Sequence, residues 1–146
     1  MTKIVTLTGA KYSKKDIVAL KLEKNSSVEF VRPYSTKKSI DFNWVSKKAL
    51  LKMLETEEVL LTQYLNGEVY CYFRKQFTAD YCVVVVDDFS LIQLKKAWDG
   101  DIVTVKVLND KSVKSDRVDV FLEDSDFDII FDVNLDDIHM LEAQIE

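Results

Sequence analysis

The side chains best suited to catalysis or metal binding are few: one histidine, His139, and two cysteines, Cys71 and Cys82. His139 stands between Ile138 and Met140, and no serine or cysteine partner is visible for it, so it is predicted to be a surface or structural residue. The cysteines have hydrophobic and aromatic neighbours and no histidine at a metal-ligand spacing. They are predicted to be reduced core residues of a cytoplasmic chain that binds no metal.

The charge of the chain is distributed unevenly. The formal net charge is -5, and acidic residues are concentrated from Asp116 onward. Binding to the phosphate backbone of nucleic acids requires clustered Lys and Arg, so nucleic acid is not expected as a partner. No apolar run approaches the ~18 residues of a membrane span, and Met1 to Thr8 has no signal-peptide pattern. A soluble protein without membrane association is therefore predicted.

Strand patterns and helix patterns alternate along the sequence. The β-branched run Lys3–Thr8, closed by Gly9, and the apolar periodicity of Ser13–Glu23 predict a strand, a turn and a helix. Four valines at Val83–Val86 predict a central strand buried on both faces. Further strands are predicted at Val28–Val31, Ile102–Leu108 and Phe127–Phe131, and further helices at Lys47–Glu55 (N-capped by Ser46), Ser90–Trp98 and Leu135–Ile145.

A hairpin interrupts this alternation. Asn66-Gly67 is a strong turn signal, and it divides Glu58–Tyr72 into two antiparallel strands. The pattern predicts an α/β fold with a three-layer, mostly parallel sheet. Residues 1–146 are predicted to form one domain, with a small antiparallel subdomain inserted at about 32–77.

The sequence resembles the guanylate kinase family, segment by segment and in the same order. The matching segments are Leu7–Asp16 at the phosphate loop, Asp41–Ser46 for D-Y-x-F-V-S, Glu58–Tyr70 for E-F-L-E and G-N-Y-Y, Asp87 with Gln93–Lys95 for D-x-D-x-Q-G, and Phe127–Asp136 for the closing strand and N-D-D-L turn. The resemblance covers nearly the whole chain except a shortened lid region at about 109–126. It implies a P-loop-kinase-like fold in which the inserted subdomain corresponds to the one that binds the nucleoside monophosphate.

The resemblance places a degenerate phosphate-binding loop, or Walker A motif, after the first strand. Such a loop needs glycines whose backbone N–H groups surround the phosphates, a lysine, and a Ser or Thr hydroxyl for magnesium. Gly9 and Lys15 are retained and are the candidate phosphate-binding residues. Tyr12 and Lys14 replace glycines, and their side chains are expected to oppose the backbone geometry that glycine supplies. Asp16 replaces the hydroxyl, and its carboxylate would repel a phosphate.

The substrate side of the family's site has also lost groups. The glutamate that pairs with guanine is matched by Leu61, the tyrosine of D-Y-x-F by Phe42, and the phosphate-holding arginines at best by Lys37 and Lys38. The remaining candidate substrate-binding residues are Lys37, Tyr70 and Asp87.

The lid region carries few positive charges. The family's lid supplies arginines that neutralise the transferring phosphoryl group. Here the region holds Arg117 among Asp116, Asp119, Glu123 and Asp124, and these acids would repel a triphosphate.

Several candidates have ordinary structural alternatives. Ser13 could be the N-cap of the first helix, with Asp16 in its first turn. Tyr70 could be a half-buried aromatic residue of the hairpin, and Asp87 could end a strand and cap the next helix.

Three functional hypotheses follow. The first is a guanylate kinase-like pseudoenzyme, without catalytic residues or cofactors, that binds a protein partner through the old cleft or the aromatic subdomain. The second is a divergent nucleoside monophosphate kinase or nucleotide-binding protein, which would bind GMP, ATP and magnesium using Lys15, Lys37, Tyr70 and Asp87. The third is a phage-encoded inhibitor of a host or defence protein, and it rests on composition, charge and size, including only three Gly and one Pro.

Overall fold

The computed structural model describes residues 2–9, 13–65, 67–109 and 122–146, and these form two sheets and four α-helices. The strands are β1 (Lys3–Thr8), β2 (Val28–Phe30), β3 (Tyr34–Ser35), β4 (Asn43–Trp44), β5 (Val59–Leu65), β6 (Glu68–Phe73), β7 (Tyr81–Val85), β8 (Ile102–Leu108) and β9 (Ile129–Asp132). The helices are α1 (Lys15–Leu22), α2 (Lys47–Thr56), α3 (Asp88–Ala97) and α4 (Ile138–Ile145). None of these helices is long and apolar enough to cross a membrane.

The larger sheet has five strands in the order β2-β7-β1-β8-β9, and every pair of neighbours is parallel. The predicted α/β fold is therefore confirmed. The central strand is β1, however, and the valine-rich strand β7 lies beside it and ends at Val85. Val83 and Val84 are buried as predicted, whereas Val85 is only half-buried because it lines a cavity.

Helices cover both faces of this sheet, which confirms the three layers. Alternate residues of β1 point to opposite faces. Val5 and Leu7 pack in a cluster that contains residues of α1 and α4, including Leu22 and Leu141. Ile4 belongs to a second cluster, on the side of α3.

The smaller sheet has the order β4-β3-β6-β5 and contains the predicted hairpin of β5 and β6. It is mixed rather than antiparallel, because β3 pairs with β4 in parallel. The sequence did not predict β3 or β4, since two residues are too few to show a period. Helix α2 covers one face of this sheet, where Leu50 packs with Cys71 and Phe73. Tyr70 and Tyr72 alternate with these residues and lie on the opposite face.

Three predicted helix starts, those of α1, α3 and α4, differ from the structure. Helix α3 begins at Asp88 rather than Ser90, because the side chain of Asp87 caps it. Ser46 caps α2 as predicted, and its side chain accepts a hydrogen bond from Ala49 N at 3.1 Å. Helix α1 begins at Lys15, and its N-cap is Lys14 rather than the predicted Ser13. Helix α4 begins at Ile138 rather than Leu135, because the side chain of Asp137 caps it.

Candidate functional site

A cavity of about 380 Å³ lies between the main sheet and the inserted subdomain. Val85, at the carboxyl end of β7, and Asp16, in the first turn of α1, line it on the side of the main sheet. Clefts at the carboxyl ends of parallel strands are where α/β proteins commonly bind ligands. The remaining lining residues are Leu20, Phe30, Arg32, Pro33, Asp41, Phe42, Gln63, Tyr70 and Tyr72.

The turn after β1 brings Gly9 and Lys15 together. Lys15 Nζ donates a hydrogen bond to Gly9 O at 3.2 Å, so the two candidate phosphate-binding residues are in direct contact. Gly9 is required by close packing, because a Cβ there would lie 2.6 Å from both Ser13 Oγ and Val107 O. Ser13 itself is buried, and its Oγ forms no hydrogen bond with any described residue.

Lys14 adopts a backbone conformation that glycine normally supplies. Its φ is 67° and its ψ is 26°, which lies in the left-handed region. Lys14 therefore holds the glycine-like conformation against the preference of its own side chain. Tyr12 and Lys11 lie outside the described residues.

Asp16 brings a negative charge to the cavity. It is exposed, and its carboxylate is close enough to Tyr72 to contribute, after burial, to a raised pKa of that tyrosine. Asp41 is a second carboxylate of the lining. Two carboxylates in one cleft disfavour a bound phosphate group.

Aromatic rings and lysines form the outer part of the site. Tyr70 is 8% exposed, and its ring meets the ring of Phe42 edge-on with centroids 5.0 Å apart. Lys37 Nζ lies 6.0 Å from the centre of the Phe42 ring, and Lys38 Nζ lies 5.0 Å from that of Trp44. The structure therefore brings two predicted substrate-binding residues, Lys37 and Tyr70, to the same wall of the cleft.

The base-recognition position is apolar, but an amide lies nearby. Leu61 is 2% exposed and pairs with Tyr72 across the hairpin, so it offers no hydrogen-bonding group. Gln63, two residues further on the same strand and face, lines the cavity and donates a hydrogen bond to Ser90 Oγ of α3. The sequence interpretation missed Gln63, although the period of two along β5 places it on the same face as Leu61.

Arg32 is the second residue that the sequence interpretation missed. It lines the cavity, and its guanidinium lies 4.6 Å from the centre of the Phe30 ring. A cation–π contact of this kind holds an arginine in place while its N–H groups stay available to an anion. The signal for Arg32 in the sequence was a basic residue followed by a proline, shortly before Lys37 and Lys38.

Asp87 takes the predicted capping position instead of joining the cavity lining. Its Oδ1 accepts a hydrogen bond from Ser90 N at 2.7 Å at the start of α3. The neighbouring Asp88 is 4% exposed and accepts a hydrogen bond from Leu122 N at 3.0 Å. A substrate-binding role for Asp87 stays a prediction.

The remaining candidates lie away from the cleft or outside the described residues. Arg117, Asp116 and Asp119 of the lid region fall outside the described ranges, whereas Asp124 forms an ion pair with Lys106. His139 is exposed, and its Nδ1 lies 3.2 Å from Glu142 Oε1. Within those ranges, no group of three or more His, Cys, Asp or Glu side chains is placed to hold a metal ion.

Both cysteines are free and buried, as predicted. Burial raises the pKa of Cys71, and it raises the pKa of Cys82 to about 11. Thiols with raised pKa values are poor nucleophiles at neutral pH, so neither cysteine is placed for covalent chemistry.

Comparison with known proteins identifies the fold. No protein-family model matches the sequence, and no curated protein matches it. Among solved structures, the chain is similar to the guanylate kinase from Anaplasma phagocytophilum, with a TM-score of 0.67 and 13% sequence identity over 99% of this chain and 82% of that one. The chain therefore has a guanylate kinase-like fold.

Proposed function

We propose that this chain is a guanylate kinase-like protein that binds a partner in its cleft without transferring a phosphoryl group. The observation that carries the proposal is Asp16, a carboxylate at the cavity in the position where a phosphate loop needs a hydroxyl for magnesium. Phosphoryl transfer depends on positioning and neutralising negative charge. In this cavity Asp16 and Asp41 oppose that charge, and among the described residues of the lining Arg32 is the single basic one.

The shape of the cleft wall supports a protein partner. Gln63, Tyr70, Ser35 and Trp44 occupy opposite register positions on β5, β6, β3 and β4, so they form a row across the smaller sheet. Three strand spacings of about 4.8 Å make this row about 14 Å long. An extended peptide rises about 3.3 Å per residue, so about four residues of such a segment span the row. Ser35 is fully buried and Tyr70 is 8% exposed, so the segment would contact the row at its two ends, Gln63 and Trp44. Trp44, at its far end, is 49% exposed.

The charges along this row favour an acidic segment. Lys37 and Lys38 are exposed beside the aromatic rings at the outer end of the row, whereas the cavity end holds Arg32 together with the carboxylates of Asp16 and Asp41. The acidic side chains of the segment are therefore expected to contact Lys37 and Lys38. Charge complementarity of this kind steers association and makes it sensitive to salt. The exposed ring of Trp44 would pack against an apolar side chain of the same segment.

Catalysis is tested with the purified protein, ATP, GMP and magnesium. We expect no transfer of phosphate to GMP, because the groups that neutralise charge in the transition state are replaced. A turnover of ~1 to 100 per second, the ordinary range of kinases, would contradict the proposal.

Peptide binding is tested with two fluorescent octapeptides, one alternating Glu with Val and the other Lys with Val. We expect the acidic peptide to bind and the basic peptide not to bind. Replacing both Lys37 and Lys38 by Glu should weaken binding of the acidic peptide at least tenfold, because both lysines lie beside the row. The matched control reverses Lys47 and Lys48, at the start of α2, which packs on the other face of the sheet. Equal binding of the two peptides, or equal losses of binding in both variants, would contradict the proposal that an acidic segment binds at this surface.

A nucleotide is the second candidate ligand, because Gln63, Tyr70 and Arg32 converge on one cavity of about 380 Å³. A ligand that binds only the folded state raises the melting temperature. A rise with GMP or ATP that is lost in Gln63→Leu would favour this candidate over the peptide. No rise with either nucleotide would leave the protein partner as the supported proposal.

A further inference from the structure

A groove runs between α1 and α4 on a side of α1 that does not face the cleft. It consists of two adjoining cavities of about 380 and 560 Å³, which share Lys21 and Ile138. Along α1, Asp16 and Leu20 line the cleft, whereas Ile17 and Lys21 line the groove. The helical period therefore gives α1 two separate stripes of residues, one that lines the cleft and one that lines the groove.

The groove combines an apolar floor with an exposed apolar side chain at its rim. Ile17, Val133 and Ile138 contribute to the floor, and Ile17 is 48% exposed. Leu135 is 80% exposed and lies in the turn between β9 and α4, next to Asp136 of the lining. A protruding leucine and an apolar recess therefore lie side by side on one surface.

The two walls of the groove carry opposite charges. The α1 wall is basic, with Lys14, Lys21 and Lys24, and the α4 wall is acidic, with Asp136, Asp137 and Glu142. A twofold rotation would place the basic wall of one chain against the acidic wall of another, and would do so twice. The exposed Leu135 of each chain would then be available to the apolar recess of the other.

We propose that this groove is the interface of a symmetric homodimer. A second copy of the chain supplies both complementary features, the opposite charge and the apolar side chain. A polyanion does not, because residues 122–146 contain nine Asp and Glu and no Lys or Arg. The cleft, which faces the other stripe of α1, stays open in this dimer.

Sedimentation across micromolar to millimolar concentrations tests the proposal. The unmodified chain is expected to dimerise, and Leu135→Asp and Lys21→Glu are each expected to weaken dimerisation at least tenfold, because both symmetric contacts are lost together. Glu142→Lys is expected to weaken dimerisation as well, since the introduced lysine would then face Lys21 of the other chain. Lys52→Glu, on the exposed part of α2, is the matched control and should dimerise like the unmodified chain.

Mixing provides the decisive measurement. Lys21→Glu and Glu142→Lys chains are each repelled by their own copies, but a mixed pair restores attraction at both contacts. Recovery of dimer in the mixture also shows that both variants are folded. Three results would each overturn the proposed interface. They are an unmodified chain that stays monomeric, variants that dimerise normally, and a mixture that stays monomeric.

Discussion

At Lys14 the backbone holds a left-handed conformation, with φ of 67°, although a lysine side chain is present. A residue other than glycine in this region costs on the order of 1–3 kcal/mol. The neighbouring contacts, which join Lys15 to Gly9 and bury Ser13, fix the turn strongly enough to offset that cost. Lys14 thus has a glycine-like backbone conformation although it carries a side chain.

Replacing this lysine tests the strain directly. Lys14→Gly is expected to raise the free energy of unfolding by about 1 kcal/mol, because the relief of strain exceeds the extra entropy of glycine in the unfolded chain. Urea denaturation measures the change. Lys52→Gly, within α2, is the control and should lower stability by about 1 kcal/mol. A destabilised Lys14→Gly protein would show that the turn stores no strain.

Individual site residues were predictable only where a motif named them. Gly9, Lys15, Lys37 and Tyr70 came from the family resemblance. Arg32 and Gln63 belong to no motif, and their only signals were the Arg32-Pro33 pair and the period of two along β5, neither of which indicates a shared cavity. Their place in the cavity depends on how the smaller sheet packs against the main one. That packing follows from contacts distant in sequence, which no local pattern reports.

At the scale of elements, Arg74 fastens the end of the hairpin to the end of α3. Its side chain pairs with Glu58 and with Asp99, and it donates a hydrogen bond to Ala97 O at 3.1 Å. Its guanidinium also lies 5.2 Å from the centre of the Trp98 ring. The hydrogen bond to Glu58 is the main cause of a raised pKa of Arg74. One side chain therefore joins the inserted subdomain to the main sheet's helical layer.

Removing this connection should loosen the hairpin. Arg74→Ala is expected to speed hydrogen exchange of the β5 and β6 amides severalfold, because local opening then breaks fewer contacts. Arg74→Lys should restore little, since an ammonium group cannot reproduce the planar, multiple donation of a guanidinium. Lys75→Ala removes an exposed pair with Glu57 and a 6.0 Å contact between Lys75 Nζ and the Tyr34 ring, neither of which reaches α3, and should leave exchange unchanged. Equal exchange in Arg74→Ala and the unmodified protein would remove Arg74 from this role.

Elements with a full period were predicted well, whereas the two-residue strands and three of the four helix starts were not. The bounds of β1 and β8 agree with the prediction because β-branched runs extend over each of them. Helix α1 begins later than expected because the side chain of Ser13 is buried instead of capping the helix. Burial overrode a capping preference worth only about 1 kcal/mol.

At the scale of the whole molecule, the two sheets share one hydrophobic cluster. Leu60, Leu61 and Tyr72 of the hairpin are buried together with Leu91 and Leu94 of α3. The fold class was predictable because strand and helix periods alternate along the chain. The shared cluster was not, because the same apolar residues could equally have formed a separate core for the inserted subdomain.

A shared core predicts that the inserted subdomain does not unfold independently. The only two tryptophans report on the two parts, since Trp44 lies on β4 of the smaller sheet and Trp98 follows α3. Trp44→Phe and Trp98→Phe therefore leave one fluorescent probe in each part. Both probes should give the same midpoint in urea, because a single cooperative transition moves them together. Leu61→Ala should lower both midpoints in parallel. It should lower the free energy of unfolding by about 2–5 kcal/mol, since it opens a cavity in the shared cluster. Far-ultraviolet circular dichroism of each single-tryptophan protein is the reference for the transition. Midpoints that differ between the two probes by more than about 0.5 M urea, well beyond extrapolation error, would mean that the subdomain has a core of its own.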